Sequence, residues 1–409
     1  MRLLTFVRSG LSSSGRCAKA GTSAQLAADR EAQEKAHEAP HYVGRCANLS
    51  AQERADREAQ GLKPVVRFRF GDQTVAFEDI VRGHVEISTR DLGGDMIILR
   101  SDGTPLYHFV VVVDDAEMAI THVIRGEDHI SNTPKHILLF RALGANVPVF
   151  AHLPLILNPD RTKMSKRKTQ TAIADYRAQG YIPEGMVNYL GLLGWSSGTE
   201  EEIFTIDELA QRFELERVQS AGAVFDRERL EWLNGQWIRR LSDEELVERC
   251  LPFLVDALRA AEAQGMTVRL PTADDLRPLV PMVRERLPTL AAIGVLLDFV
   301  FIEDLRVEPD LLVPKRWDAP TTVGGLTAAR EVIASVGPVS FEADELEGPL
   351  RRLADERGWK PGDLFMAIRV AATGRTATPP LFDTLVALGC ERTLARLDAA
   401  REALEAAAA

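Results

Sequence analysis

The segment that decides the fold reads Lys163-Met164-Ser165-Lys166-Arg167, and it follows the segment THVIRGEDHISNTPK at residues 121–135. Residues 151–160 (AHLPLILNPD) lead into it as an apolar run that closes on Asn-Pro-Asp, which predicts a strand followed by a loop. Two lysines and an arginine on such a loop suit a triphosphate, because positioned cations stabilise its charge. Taken alone, the five residues are more typical of a solvated basic loop, and the context is what favours a phosphate site.

Several other segments occur in a fixed order around these two. They include YVGRC at 42–46, YHFVVVVDD at 107–115, NYLGLLGW at 188–195 and RVAATGR at 369–375. Together they resemble the bacterial-type glutamyl-tRNA synthetases, which are class I aminoacyl-tRNA synthetases. The resemblance covers nearly the whole chain from about Leu26 onward, and so many segments in one order are far more specific than any single one.

One family segment is absent from this sequence. The family begins with a Pro-x-Pro-Thr-Gly-x-x-His-Ile-Gly segment that helps to hold ATP, and no such segment occurs here. We therefore expect the nucleotide-binding fold to lack its N-terminal half, and the chain alone to make glutamyl-adenylate poorly. Residues 1–28 contain no acidic residue and resemble an organellar transit peptide in composition, but we favour a remnant or an out-of-register gene start.

Composition is that of a multidomain globular protein. The 409 residues are 45% apolar and 27% charged, and no apolar run reaches the length of a membrane span. Four scattered cysteines predict no disulfide framework and favour the cytoplasm. The net charge of −11 means that RNA binding would need a local basic face. The candidates are Arg67, Arg69, the Lys163–Lys168 loop, Arg239, Arg240 and the arginines from 369 to 396.

The predicted fold class combines α/β and all-α parts. It is an incomplete doubly wound, Rossmann-like catalytic fold with an inserted α+β acceptor-binding domain and a C-terminal helical anticodon-binding domain. The predicted boundaries are 1–25 for an N-terminal remnant that need not be ordered, 26–105 for the inserted domain, 106–168 for the second half of the catalytic fold, 169–240 for a stem-contact helical region and 241–409 for the anticodon-binding domain.

Local patterns predict the elements. Residues 23–60 look helical with a break near Pro40, while 65–70, 75–77, 84–87, 109–113 and 153–157 look like strands and 133–143 like a helix that ends at Gly144. Thr205 and Ser242 each begin a capping-box pattern at a helix start. Residues 276–290 have helical spacing, but three prolines must break that segment.

The resemblance implies roles for individual residues. Lys163 and Lys166 match the catalytic loop, which with Met164, Ser165 and Arg167 would bind ATP. Tyr107 and Arg125 match residues that bind glutamate. Two alternatives stay open, namely an ion pair of Arg125 with Glu127 or Asp128, and a half-buried strand position for Tyr107. Val111 stands where some relatives have Asn, so one substrate contact is in doubt.

Contacts with tRNA are implied at both ends of the chain. Asp128 is interpreted as a contact to the acceptor end or as a residue with local hydrogen bonds. Arg286, Arg369 and Thr378 match positions near the anticodon. Unpaired loop bases are where RNA sequence is usually read. The alternative for each arginine is an ordinary solvated helix charge.

No metal site is predicted. Many bacterial relatives hold zinc through four ligands in the inserted domain, but here only Cys46 keeps its position and Asn48 replaces a His. Cys17 lies two residues too early, and two thiols cannot complete a four-ligand site.

The resulting hypothesis is a glutamate–tRNA ligase that attaches L-glutamate to tRNA(Glu) in two ATP-dependent steps through glutamyl-adenylate. ATP would bind with Mg²⁺, and we expect a monomer that is not bound to a membrane. The alternative is a catalytically impaired fragment or paralogue that binds tRNA without activating glutamate.

Overall fold

Two compact units make up this computed structural model, which describes residues 14–18, 23–37, 41–44, 49–61, 63–164 and 172–408. The first unit contains the described residues up to 164 together with 191–202 and 207–225. The second contains the described residues of 172–190, 203–206 and 226–408. Within these ranges, no helix is both long enough and apolar enough to cross a membrane.

The strands of the first unit form three small sheets. One is antiparallel with the order β1-β2-β5, one has the order β4-β3-β7-β6, and the third pairs β8 with β9 in parallel. The strands are β1 (Ser14–Ala18), β2 (Pro64–Phe68), β3 (Thr74–Asp79), β4 (Gly83–Ser88), β5 (Met96–Leu99), β6 (His122–Gly126), β7 (Val149–Leu153), β8 (Ile156–Leu157) and β9 (Ala223–Val224).

The four-stranded sheet positions the candidate site. Strands β3, β7 and β6 run parallel, with Asp79 opposite Phe150 and Arg125 opposite His152. This register places the ends of three neighbouring strands side by side. The sheet also crosses the boundary predicted at residue 105, because β3 and β4 come before it and β6 and β7 after it.

Four helices accompany these strands. They are α1 (Ser23–Lys35), α2 (Ala51–Ala59), α3 (Tyr107–Glu117) and α4 (Thr133–Leu143), and a 3-10 turn at Glu127–Asn132 leads into α4. The predicted helix at 133–143 is confirmed with its end, since Gly144 adopts a left-handed φ of 68° that favours glycine. The strands predicted near 65–70, 75–77 and 84–87 are confirmed as β2, β3 and β4.

The strand predicted at 109–113 is wrong, because these residues lie inside helix α3. Phe109, Val112 and Val113 are buried, and this is the three- and four-residue spacing of a helix face. They pack into one core with residues of β2, β5, α4 and β7. The run of valines has strand propensity, but tertiary burial of one helical face overrides it.

The segment predicted as an N-terminal remnant, 1–25, contains regular structure in its described residues. Residues 14–18 form β1, which pairs antiparallel with β2, and α1 begins at Ser23. Short, small and polar, the sequence SGRCA carries no local strand signal. Its strand conformation therefore depends on the partner strand rather than on its own pattern.

The second unit is helical and has its own large apolar core. The Ser242 capping box is confirmed at the start of α9, and a helix begins at Ile206 as predicted after Thr205. The proline-rich segment 276–290 contains two short helices and a 3-10 turn at Arg284–Arg286, as its prolines require.

The helices from residue 172 onward are α5 (Ile173–Ala178), α6 (Pro183–Leu192), α7 (Ile206–Arg212), α8 (Arg227–Arg239), α9 (Asp243–Ala263), α10 (Ala273–Leu276), α11 (Val280–Val283), α12 (Ala292–Phe301), α13 (Pro309–Leu312), α14 (Ala319–Val336), α15 (Ala343–Glu356), α16 (Pro361–Thr373), α17 (Leu381–Leu388) and α18 (Cys390–Ala408).

Candidate active site

Arg125 lies near the carboxyl end of the parallel strand β6, the edge of a sheet at which α/β folds bind ligands. Its Nε donates to His152 Nε2 at 3.1 Å, and its Nη1 lies 3.3 Å from His136 Nδ1. Its Nη2 donates to Thr133 Oγ1 at 2.6 Å and to the His129 carbonyl at 3.3 Å. The guanidinium is therefore held from three sides by α4, β7 and the turn between β6 and α4.

None of these four acceptors is charged. Among the described residues, no carboxylate forms an ion pair with Arg125, and the predicted alternative of a pair with Glu127 or Asp128 is wrong. Glu127 instead pairs with Arg82 and accepts from the Leu155 backbone N at 3.1 Å. Burial lowers the pKa of Arg125, but an arginine remains charged in any protein environment. The guanidinium charge is thus available to an anionic ligand.

Burial favours the neutral form of three histidines in this cluster, His108, His136 and His152. Burial, followed by the neighbouring Arg125 charge, lowers the pKa of His136 to about 3. Burial also lowers the pKa of His152 and of His108, whose Nδ1 lies 3.0 Å from His136 Nε2. Neutral rings beside a cation serve as hydrogen-bond acceptors without adding repulsive charge.

Tyr107 lies beside this cluster as the first residue of α3. Its side chain is 52% exposed, and its ring centroid lies 5.3 Å from that of His108 and 6.1 Å from that of His136. The sheet and the two helices therefore bring Tyr107 and Arg125 to one site. Tyr107 is not a strand residue, so the alternative reading is wrong on that point. Val111 packs against the apolar core.

The basic loop begins as the sequence predicts, after an apolar strand. Strand β8 is followed by a tight turn in which the Thr162 backbone N donates to Asp160 Oδ1 at 2.9 Å. Lys163 then forms an isolated bridge with Leu157, and its Nζ donates to Asp128 Oδ2 at 2.9 Å. Lys163 and Met164 are the last described residues of this segment, and Ser165, Lys166 and Arg167 lie outside the described residues.

Four polar residues of the cluster escaped the sequence analysis. Asp79, Thr133, His136 and His152 are each at most 3% exposed, and the sequence analysis assigned a role to none of them, although Thr133 and His152 lie in the quoted segments 121–135 and 151–160. For two of these residues, the sequence pattern does contain a signal. His152 interrupts the apolar strand run 149–153, and Asp79 ends strand β3, positions at which a polar residue needs a specific partner.

Comparison with known proteins agrees with this geometry. The catalytic-domain family of class I tRNA synthetases for glutamate and glutamine (E and Q) matches residues 13–232, and the anticodon binding domain family matches residues 245–401. A glutamate–tRNA ligase of Symbiobacterium thermophilum is 43% identical over 374 residues, which cover 90% of this chain and 76% of that protein. The chain belongs to the glutamate–tRNA ligase family.

Other relatives extend the same result. The glutamate–tRNA ligase of Roseiflexus castenholzii is 43% identical over 384 residues, covering 92% of this chain and 74% of that protein. The crystal structure of a glutamate tRNA ligase from Elizabethkingia meningosepticum in complex with its amino acid has a TM-score of 0.78 and 28% identity, covering 98% of this chain and 82% of that one. The predicted fold class, a Rossmann-like catalytic part with a helical anticodon-binding part, is confirmed.

The helical unit of this ligase-family chain brings three predicted residues together. Arg369 Nε donates to Thr378 Oγ1 at 3.1 Å, and Arg286 Nη1 donates to the Thr378 carbonyl at 3.3 Å. Burial, and then the charge of Arg286, lower the pKa of Arg369. In the described part of the chain, neither arginine forms an ion pair, and the alternative of a solvated helix charge stays open for each of them.

Not all of the arginines predicted for a basic RNA-binding face are free to contact RNA. Arg396 is 7% exposed and donates to three backbone carbonyls, while Arg375 pairs with Asp298 at 2.6 Å and Arg239 with Glu285 at 3.5 Å. Arg396 is therefore a structural residue, and Arg375 and Arg239 each have an acidic partner within the protein. The prediction that zinc is absent concerns Cys46 and Asn48, which lie outside the described residues, and Cys17, whose side chain is not described. That prediction stays open to elemental analysis.

Proposed function

We propose that this chain is a glutamate–tRNA ligase, which condenses L-glutamate with ATP to glutamyl-adenylate and pyrophosphate and then transfers the glutamyl group to the 3′ end of tRNA(Glu). The observation that carries the proposal is Arg125, a cation held by neutral acceptors and without a described carboxylate partner. Four of its five N–H donors already face protein acceptors, so a ligand carboxylate would be held by the remaining Nη1 donor and by the guanidinium charge. The ring of Tyr107, at the same site, supports recognition of a small polar amino acid.

Lys163 supports the ATP step of this proposal. It stands at the start of the basic loop, 2.9 Å from Asp128, and is 53% exposed. A lysine ammonium is a mobile point charge suited to phosphate oxygens, and Mg²⁺ would accompany the nucleotide. Met164, Ser165, Lys166 and Arg167 would complete the loop around the triphosphate, with Lys163 and Lys166 acting on the reacting phosphates and Asp128 contacting the acceptor end.

The cluster of Arg286, Arg369 and Thr378 supports anticodon recognition. Two cations without described acidic partners face one threonine, which gives donors for both bases and phosphates of an unpaired loop. We further propose a monomer that acts in the cytoplasm with ATP, glutamate and tRNA(Glu) as ligands. Cys250 and Cys390, both buried free thiols, fit a reducing compartment.

The test is glutamate-dependent exchange of ATP and pyrophosphate in the presence of tRNA(Glu), with glutamate affinity measured in parallel by calorimetry. Replacing Arg125→Lys keeps the charge but removes the planar fork. We expect glutamate to bind about 10- to 100-fold more weakly, since hydrogen bonds to charged groups are worth about 1.5–3 kcal/mol. ATP affinity should stay within about twofold, because Arg125 is not proposed to contact the nucleotide.

Arg141→Lys is the matched control, because Arg141 is an exposed arginine on α4. It should leave both affinities unchanged. Equal glutamate affinity in wild type and Arg125→Lys would remove the basis of the proposal. Specific binding of tRNA(Glu) without exchange or glutamate binding would instead support the alternative, a relative that binds tRNA without activating glutamate.

A further inference from the structure

Asp79 is a buried carboxylate at the end of β3, and it contacts both its own turn and His152 of the candidate site. Its Oδ2 lies 2.6 Å from His152 Nδ1. Its Oδ1 accepts from the backbone N atoms of Val81 at 3.0 Å, Arg82 at 2.9 Å and His152 at 3.1 Å. Asp79 is 3% exposed and His152 is fully buried. Although burial alone would raise the pKa of Asp79, the hydrogen bonds from His152 and these backbone groups lower it, so the carboxylate is ionised.

The neighbouring Arg125 fixes the tautomer of His152. An arginine Nε is always a donor, so His152 Nε2, which lies 3.1 Å from it, must accept. The proton of the neutral ring is then on Nδ1 and is donated to Asp79 Oδ2. A continuous chain of hydrogen bonds therefore runs from the Asp79 carboxylate through the His152 imidazole to the Arg125 guanidinium.

We propose that Asp79 and His152 are positioning residues, which hold the Arg125 guanidinium in the orientation that receives the carboxylate of the amino-acid substrate. This inference rests on the proposed function. A direct Asp–Arg pair would occupy the part of the guanidinium that a ligand needs. The imidazole of His152 lies between Asp79 and Arg125, so the negative charge of Asp79 acts on the guanidinium from its Nε side. The Nη atoms are then left for neutral contacts and for the ligand.

The hairpin turn that carries Asp79 is joined to the Arg125 segment a second time. Arg82, three residues after Asp79, pairs with Glu127, two residues after Arg125. Both links connect the turn between β3 and β4 with the end of β6. Two links at neighbouring positions resist both translation and rotation of the arginine, which is what precise orientation of a ligand carboxylate requires.

The decisive variant is Asp79→Asn. The amide oxygen can keep the three backbone bonds of Oδ1, while its NH₂ group replaces Oδ2 and must donate to His152 Nδ1. The ring proton is then driven to Nε2, where it faces the donor Nε of Arg125. A wrong tautomer of this kind disables an active-site histidine without changing its position.

We expect Asp79→Asn to weaken L-glutamate binding, measured by calorimetry, by about 10- to 100-fold, as when a metal-ligating histidine loses its outer hydrogen-bond partner. ATP affinity should not change, and a residue with only a structural role would weaken both. Asp72→Asn is the control, because it is the same replacement at an exposed position of the same unit, where Asp72 pairs with Arg90 at 3.0 Å. Unchanged glutamate affinity in folded Asp79→Asn would overturn the proposal.

Nitrogen NMR of histidine-labelled protein tests the hydrogen-bond relay from Asp79 through His152 to Arg125 without any ligand. The signal of the His152 ring is assigned by its loss in His152→Gln. The wild-type ring should be neutral with its proton on Nδ1, and Asp79→Asn should move the proton to Nε2. A wild-type ring protonated on Nε2 would overturn the relay, even if Asp79→Asn does not fold. If the wild-type chain does not bind glutamate, the proposed function fails, while the NMR result still decides whether Asp79 positions His152 and Arg125.

Discussion

Lys163 and Asp128 form an ion pair in which Lys163 Nζ lies 2.9 Å from Asp128 Oδ2. The pair joins the start of the basic loop to the segment that carries Arg125. The two side chains are 53% and 44% exposed, so water screens the attraction. The hydrogen bond from Lys163 is the main reason that the pKa of Asp128 is lowered.

Asp128→Asn should therefore affect the loop more than the fold. We expect the free energy of unfolding, measured with urea, to fall by less than about 1 kcal/mol. Release of Lys163 should raise the KM for ATP by at most about fivefold, the equivalent of the same energy. Asp274→Asn, which removes another exposed ion pair with Arg277, is the control for stability and should leave the KM unchanged. A loss of several kcal/mol would show that the pair holds the fold together.

The buried His136 makes folding stability depend on pH. Its pKa falls from 6.5 to about 3 through burial and the charge of Arg125. Below about pH 6.5 the unfolded chain takes up a proton that the folded chain does not, so stability is complete above that pH and is lost as the pH falls toward 3. The slope from this one group approaches about 1.4 kcal/mol per pH unit.

Urea denaturation of wild type and His136→Gln between about pH 5 and 8 measures this slope. The variant should show a flatter dependence below pH 6.5. His84 provides a contrast of opposite sign, since hydrogen bonds to Glu86 and Glu78 raise its pKa and its contribution is lost as the pH rises. Identical slopes in wild type and His136→Gln would contradict the assignment.

Arg369→Ala should lower the affinity for tRNA(Glu) and reduce the discrimination between anticodons. The substitution removes the donor to Thr378 and one of the two clustered cations. We expect a loss of about 1–3 kcal/mol in binding of tRNA(Glu) and a smaller penalty for an altered anticodon, as for an arginine that reads a base. Kd values at one fixed salt concentration measure both effects. Arg259→Ala, at an exposed position of α9, should leave the discrimination unchanged, and equal discrimination in Arg369→Ala would argue against base reading.

Arg396→Met should destabilise the helical unit. Arg396 donates to the carbonyls of Ala372 at 2.5 Å, Ile302 at 2.6 Å and Phe299 at 2.7 Å, and burial lowers its pKa to about 10. The carbonyls of Ala372 and Phe299 would lose this donor, while that of Ile302 keeps Arg392. Each buried carbonyl left without a donor costs about 1–3 kcal/mol, so we expect a loss of at least about 2 kcal/mol in urea denaturation.

Arg392→Met is the matched control for this substitution. Its Nη2 donates to one carbonyl, that of Ile302, at 3.2 Å, so it should cause a clearly smaller loss. Equal losses in the two variants would mean that the three carbonyl contacts of Arg396 contribute little. Arg396→Met should also leave the anticodon discrimination of the folded protein unchanged, because its guanidinium is buried.

Local sequence patterns predicted those elements whose signals lie within a few residues. The helix ending at Gly144 and the capping box at Ser242 follow from neighbouring residues alone, because capping satisfies the first or last turn of a helix. The strand and turn before Lys163 follow from an apolar run and an Asn-Pro-Asp sequence. The family and its fold class could likewise be inferred, because many segments in one order carry that information.

The sequence did not reveal the contacts that orient the site. Asp79 and His152 are 73 residues apart and Asp128 and Lys163 are 35 apart, and a single sequence contains no signal for such pairs. The helical state of residues 107–117 was also decided at a distance, since burial of Phe109, Val112 and Val113 against several strands outweighs the strand propensity of valine. The sequence by itself thus determined the family, the basic loop and the candidate arginines. Only the tertiary structure decided which neutral and charged groups surround Arg125, because long-range packing, not local propensity, chooses the partners of a buried charge.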